Sequence, residues 1–140
     1  MVFCRDIPVG GHVYTLELQK GLGISFEEAE ALKLSVSTGE PAPDEASTII
    51  ESAHEIILDE INSSVEFFQN TSSASEISRA YITGGGSKLP GVREKIGTKF
   101  AVDQFNPFTK IKYNKSAITP DYLGRIQDFA SIAIGLGLRR

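Results

Sequence analysis

The sequence has a single cysteine, Cys4, among 140 residues. One thiol closes no intramolecular disulfide, and a reducing compartment is compatible with that. Histidine is almost as scarce: His12 and His54 are the only two, and they lie far apart. No Cys/His cluster has the spacing of metal ligands, so no metal site is expected. No run of 18 apolar residues exists, so no transmembrane helix and no direct membrane insertion are expected. The opening MVFCRDIPVGG carries Asp6 and no long apolar core, so no secretory leader is expected there. Without one, the glycosylation patterns at Asn62, Asn70 and Asn114 carry little weight. Positive charge is also short: 14 Lys and Arg stand against 18 Asp and Glu, a net charge of −4. Nucleic acid is therefore not expected as a partner, because phosphate binding favours a basic face. The nearest basic group, Lys110, Lys112 and Lys115 around Tyr113, reads as a solvated loop.

What remains is ordinary globular material, 41% apolar and 23% charged, enough for one domain or two small lobes. VFCRDI (2–7) reads as an opening strand. HVYTLELQK (12–20) reads as a short helix, ended by Gly21 or Gly23. Ser25 and Glu28 fit a capping box, so a helix starts there, with Phe26, Ala29 and Leu32 on one side. Glu30 and Lys33 share another face of it. Gly39, Pro41 and Pro43 break the chain, and Asp44 is placed to cap a long helix. Ile49, Ile50, Ala53, Ile56, Ile57, Ile61, Val65 and Phe68 recur through that helix as a core stripe. The serine-rich 70–75 ends it as a surface loop. RAYIT (79–83) and AVDQF (101–105) read as strands around a helix at 92–100, with Pro90 in its first turn. Strand-turn-helix-strand implies parallel pairing in an α/β sheet. Residues 106–120 read as loop. A last helical stripe at 128–138 contains Gly135 and Gly137, which are costly inside a helix and suggest close packing or approach.

Between the two strands lies GGGSKLPG (84–91). Three glycines at a strand-to-helix turn suit a dinucleotide fingerprint: Gly84 and Gly86 fit its first two positions, and Asp103 could grip a ribose. The third glycine position is Leu89, however, and there is no room for a full doubly wound domain plus a substrate domain. A tight turn with no ligand is the plainer reading. No G-x-x-x-x-G-K-[ST] phosphate loop exists.

A third reading comes from resemblance. YITGGGSKLPGV (81–92) resembles the adenosine motif of the actin-like ATPases: a strand, Gly-Gly-small, a short spacer, then Pro-Gly opening a helix. RDIPVGGHVYTLELQKGLGISFEEAEALK (5–33) resembles the segment after the second phosphate loop in the bacterial actin-like families FtsA and PilM. Within it, A-E-x-x-K is Ala29, Glu30, Ala31, Leu32 and Lys33. FNPFTKI (105–111) and the closing ASIAIGLGLRR are similar to the PilM family in particular, the cytoplasmic actin-like component of type IV pilus assembly.

That resemblance implies an α/β, partial actin-like (ribonuclease H-like) fold. It is the second lobe only, with a mixed sheet and flanking helices. Residues 1–10 and 55–140 would form its larger subdomain and 11–54 a smaller inserted one. The family assigns nucleotide contact to Gly84, Gly85 and Gly86, and the purine and ribose side to Glu30 and Lys33. A carboxylate accepts from ribose hydroxyls, and a lysine stem covers a base while its ammonium stays wet. Taken alone, Glu30 and Lys33 read instead as a helix-surface ion pair. Gly135 and Gly137 are weaker candidates for the cleft wall, and Lys88 is placed either to reach a phosphate or, on the plainer reading, as a solvated turn residue. The two phosphate hairpins and the catalytic acid of the family do not occur in this sequence. Hydrolysis by this chain is therefore not expected, and no catalytic residue is assigned. ATP is the implied cofactor through its adenosine side, with magnesium belonging to the missing lobe. The implied partners are other proteins of the inner-membrane pilus platform, PilN-like in the intact family. Pairing of an exposed sheet edge in a homodimer is also expected. The implied location is cytoplasmic, peripheral at the inner membrane. An FtsA-like cell-division fragment and a small dinucleotide-binding enzyme remain the alternatives.

Overall fold

The computed structural model describes residues 3–72, 76–114 and 116–139. Five α-helices, one 3-10 turn and two strands follow one another: α1 (Gly11–Leu22), α2 (Phe26–Ser37), α3 (Asp44–Thr71), β1 (Arg79–Ile82), the turn Gly85–Lys88, α4 (Val92–Gly97), β2 (Ala101–Gln104) and α5 (Pro120–Gly137). The chain is a mixed α/β structure with a small parallel sheet and flanking helices.

The N-terminal helices follow from their caps. α1 stops at Gly23, which takes the left-handed conformation at φ 64°, the backbone state that glycine adopts without a Cβ penalty. The capping box at α2 is complete: Ser25 accepts from the Glu28 amide, and Glu28 accepts from the Ser25 amide. Tyr14, Thr15 and Leu18 form the buried face of α1, which packs against both α2 and α3. Ala29, Val36, Ala46, Ile50, Ala53 and Leu89 complete the core. Each fully buried Leu or Ile contributes ~1.5–3 kcal/mol. Of the expected α3 stripe, Ile56 alone among its apolar members is exposed, while the others are buried or half-buried. Asp44 is not the cap of α3. Pro43 holds the N-cap position with a non-helical ψ of 149°, and Asp44 sits in the first turn near the positive end of the dipole.

The sheet is smaller than expected. Among the described residues it has two strands, β1 and β2, parallel with Arg79 opposite Ala101 and Ile82 opposite Gln104. Residues 3–7 form no strand. Instead Phe3 packs its ring against Phe67 and Phe68 at 5.7 and 5.6 Å, so the segment is held by side chains on α3 and not by a ladder. α4 is short, and Pro90 precedes it outside its first turn; Gly91 is the N-cap, at φ 88°. α5 begins eight residues before the expected 128, because Thr119 caps it through the Tyr122 amide and Pro120 takes the first helical position. The loop expected over 106–120 ends there. Residues 73–75 of the serine-rich loop, Lys115, Arg140 and the first two residues lie outside the described residues.

Candidate functional site

α1 and α2 are joined by a polar knot at the head of the core. Lys33 Nζ donates to Glu30 Oε2 at 2.6 Å, to Thr15 Oγ1 at 3.0 Å and to the Gly11 carbonyl at 3.4 Å. Thr15 Oγ1 donates to the same Glu30 oxygen at 2.5 Å. All three ammonium protons are thus engaged, as a half-buried lysine requires. The bonds from Lys33 and Thr15 hold the Glu30 carboxyl below the usual carboxylate range. This pair is more than a solvated surface contact, since the Lys33 side chain is only 13% exposed.

The glycine turn faces that knot. Gly84 has φ 97°, the conformation that only glycine takes without strain. Its N–H donates to the Asp128 carbonyl at 2.9 Å. Gly86 faces the α1 start: a β-carbon there would lie 3.8 Å from the Gly11 nitrogen. Gly85 lies under the ring of Phe129 from α5. Ser87 ties the turn by donating to the Gly84 carbonyl at 2.7 Å.

Between turn and knot opens a cleft of about 630 Å³ whose walls include Glu30, Lys33, Gly85, Gly86, Lys88 and Phe129. A hollow of this size suits a small-molecule ligand. Four of the five expected site residues therefore share one cleft, although they come from two distant segments. Gly84 stands behind the wall and shapes the turn. Asp103 is elsewhere: it pairs with Arg79 across the sheet at 3.0 Å, so the acid needed for a dinucleotide does not meet the glycines. Gly135 and Gly137 also lie apart from this cleft, and a β-carbon at either meets nothing within 4 Å. The close packing expected of them is absent among the described residues.

Several side chains at or behind the cleft are not legible as site residues from the sequence. Lys88 is not a solvated turn residue but pairs with Asp128 at 3.1 Å and lies 5.5 Å from the Phe129 ring centroid. Asp128 also accepts from Gln104 Nε2. His12 and Phe26 meet at the rim, with ring centroids 5.5 Å apart. His54 is a different case, buried behind the cleft. Its Nε2 donates to the Pro90 carbonyl at 2.8 Å, so its Nδ1 accepts from the Tyr14 hydroxyl at 2.8 Å. It thereby fastens the end of the glycine turn to α1 and α3. Its position beside Ala53 in the apolar stripe was the one sequence signal of burial. Among the described residues no helix is long and apolar enough to cross a membrane.

The family model described as type IV pilus assembly protein PilM matches residues 1–140. A solved structure, described as a "PilM-PilN type IV pilus biogenesis complex", contains a chain similar to this one. The TM-score is 0.80 at 22% identity, over 96% of this chain and 38% of that one. At that identity the likeness speaks for the fold. The present chain thus spans under two fifths of the length of that relative.

Proposed function

The chain belongs to the family of type IV pilus assembly protein PilM, and from that premise we propose that it serves the inner-membrane platform of the pilus machine as the second lobe of an actin-like fold. It acts through protein–protein contacts and carries the adenosine side of an ATP site. The observation that carries the site is the shared cleft: the motif residues Glu30 and Lys33 face Gly85 and Gly86 across it. Oε2 of Glu30 is taken by Lys33 and Thr15, which leaves Oε1 as the acceptor for ribose hydroxyls. Residues 11–54 form the smaller subdomain and 1–10 with 55–140 the larger, with α3 running through the junction of the two.

Partners are platform proteins of the PilN kind, a reading supported by the likeness to a chain solved in a PilM-PilN complex. The lobe lies on the cytoplasmic side and reaches the inner membrane through them. The resemblance places magnesium and the outer phosphates against a first lobe that this sequence does not contain. Hydrolysis is accordingly not assigned to this chain.

Titration of fluorescent ATP and NADH analogues into the purified chain with magnesium, with its mass in solution recorded alongside, tests the reading. Saturable ATP binding that disappears in Gly85→Val and Lys33→Ala supports the half-site. Binding of neither nucleotide leaves an interaction module with an inherited glycine turn. NADH binding alone sinks the actin-like account of the cleft.

A further inference from the structure

The cleft holds two lysines, and each already has a carboxylate. Lys33 is paired with Glu30 at 2.6 Å and Lys88 with Asp128 at 3.1 Å. The second pair is built in more deeply, because Asp128 is only 7% exposed. Its carboxylate also accepts from Gln104, whose Nε2 donates in turn to Ser87 Oγ at 3.0 Å. Its backbone carbonyl accepts from Gly84 N–H at 2.9 Å and from Thr83 Oγ1 at 3.0 Å. One residue therefore fixes the glycine turn through its main chain and the lysine through its side chain. A carboxylate this buried must keep its partner, so Lys88 cannot turn to a ligand without stranding Asp128.

The two pairs sum to zero charge at the cleft wall. What the wall does offer is apolar and aromatic: the Phe129 ring, 62% exposed, beside the bare backbone of Gly85, and Phe26 at the rim. An ammonium already matched by a carboxylate presents little net potential to a polyanion. A planar ring on Phe129 loses nothing by that neutrality.

We propose that Asp128 is a charge lock on Lys88, and that the lock makes this cleft select the nucleoside part of a nucleotide over its phosphates. The proposal rests on the nucleotide reading of the cleft given above. Asp128 is a positioning residue here: it acts on the ligand through Lys88 and the turn.

The test is calorimetric titration of the 140-residue chain with adenosine and with ATP, without magnesium, at low and high salt. It is run at about pH 8, where free imidazole is uncharged. Adenosine and ATP are expected to bind within about threefold of each other, with little salt dependence. Asp128→Asn preserves the shape and the acceptor for Gln104 but unpairs the ammonium. ATP should then gain about fivefold over adenosine at low salt and lose the gain at high salt. Lys88→Gln does the reverse: it leaves the carboxylate unmatched, and ATP should fall relative to adenosine. This second variant decides the matter if Asp128→Asn fails to fold. An ATP preference of about tenfold or more in the unaltered chain, or a ratio that moves in neither variant, overturns the lock and leaves the nucleotide site standing. Binding of neither ligand removes the site, and the lock with it.

Discussion

A β-carbon on Gly85 would stand 3.0 Å from Cε1 of Phe129. The glycine turn and the first half of α5 are therefore fitted to each other, and the glycines of the turn do not all answer the same demand. Gly84 supplies the positive φ and Gly85 admits the Phe129 ring, while a β-carbon at Gly86 would make only ordinary contact with the start of α1, so two of the three glycines are required by the turn itself.

Gly85→Val should displace Phe129 from the cleft wall. Overpacking costs ~1–3 kcal/mol in a tight core, and the exposed ring can swing aside, so about 1 kcal/mol is expected here. Urea unfolding gives that number. Nucleotide binding should be lost by far more than the stability change explains.

Gly91 is the more costly glycine. It holds φ 88°, and a β-carbon there would lie 3.0 Å from Nε2 of His54, a ring locked by its bonds to Pro90 and Tyr14. Gly91→Ala should destabilise by about 2 kcal/mol, from backbone strain and the broken His54 contact together. Gly97→Ala is the matched control. That glycine has no positive φ and no neighbour within 4 Å, so alanine should stabilise α4 by ~0.5–1 kcal/mol. Thermal melts of the two variants should therefore move in opposite directions.

Local chemistry was readable from the sequence wherever it closed within a few residues. The capping box of Ser25 and Glu28, the stop at one of the two glycines Gly21 and Gly23, and the apolar repeat of α3 all depend on neighbours along one helix. Phe26, Glu30 and Lys33 fall on α2 as expected for the same reason. Failures came where a distant partner decides. Asp128 and Lys88 lie forty residues apart, and nothing local marks either as paired. Residues 3–7 have strand composition, but strand formation needs a ladder partner that composition cannot supply. The start of α5 is not legible locally, because Thr119 and Pro120 suit a loop as well as a helix start, where Thr caps and Pro takes the first helical position.

Acid should loosen the knot between α1 and α2. The Glu30 carboxyl is held below its ordinary value of 4.5, first by the hydrogen bond from Lys33 and then by that from Thr15. A depressed folded pKa adds stability that is fully present above 4.5 and fades as pH falls through the lower folded value. Glu30→Gln should therefore cost about 1 kcal/mol at about pH 7, with the partial exposure of the pair keeping it this small. The gap between variant and parent should close as pH falls below 4.5. A gap that stays constant across that window would show that the Glu30 charge contributes nothing.

Alkali should act on a different bond. Burial pushes the Tyr14 hydroxyl from 10.0 up to about 12. A raised folded pKa means stability that is complete below pH 10 and is lost as pH climbs towards 12. Near-ultraviolet titration should show one of the four tyrosines ionising late, and Tyr14→Phe should remove that step. The variant should also cost ~1–2 kcal/mol at neutral pH, because Nδ1 of His54 is left without a donor.

The outer face of α5 carries the last prediction. Phe129, Ile132 and Leu136 recur at three- and four-residue steps and stay exposed, Ile132 at 77%. Such a stripe is the face of a helix that expects a cover. Ile132 is largely solvated in this chain, so Ile132→Lys should leave stability within about 0.5 kcal/mol. If the stripe joins two copies, the same change should halve the mass found by light scattering at high concentration. A dimer that persists in Ile132→Lys would instead run through the open edge of the two-stranded sheet, where Tyr81 lies exposed on β1. The substitution thus separates two routes to assembly, because a charge on α5 leaves the backbone groups of the sheet edge untouched.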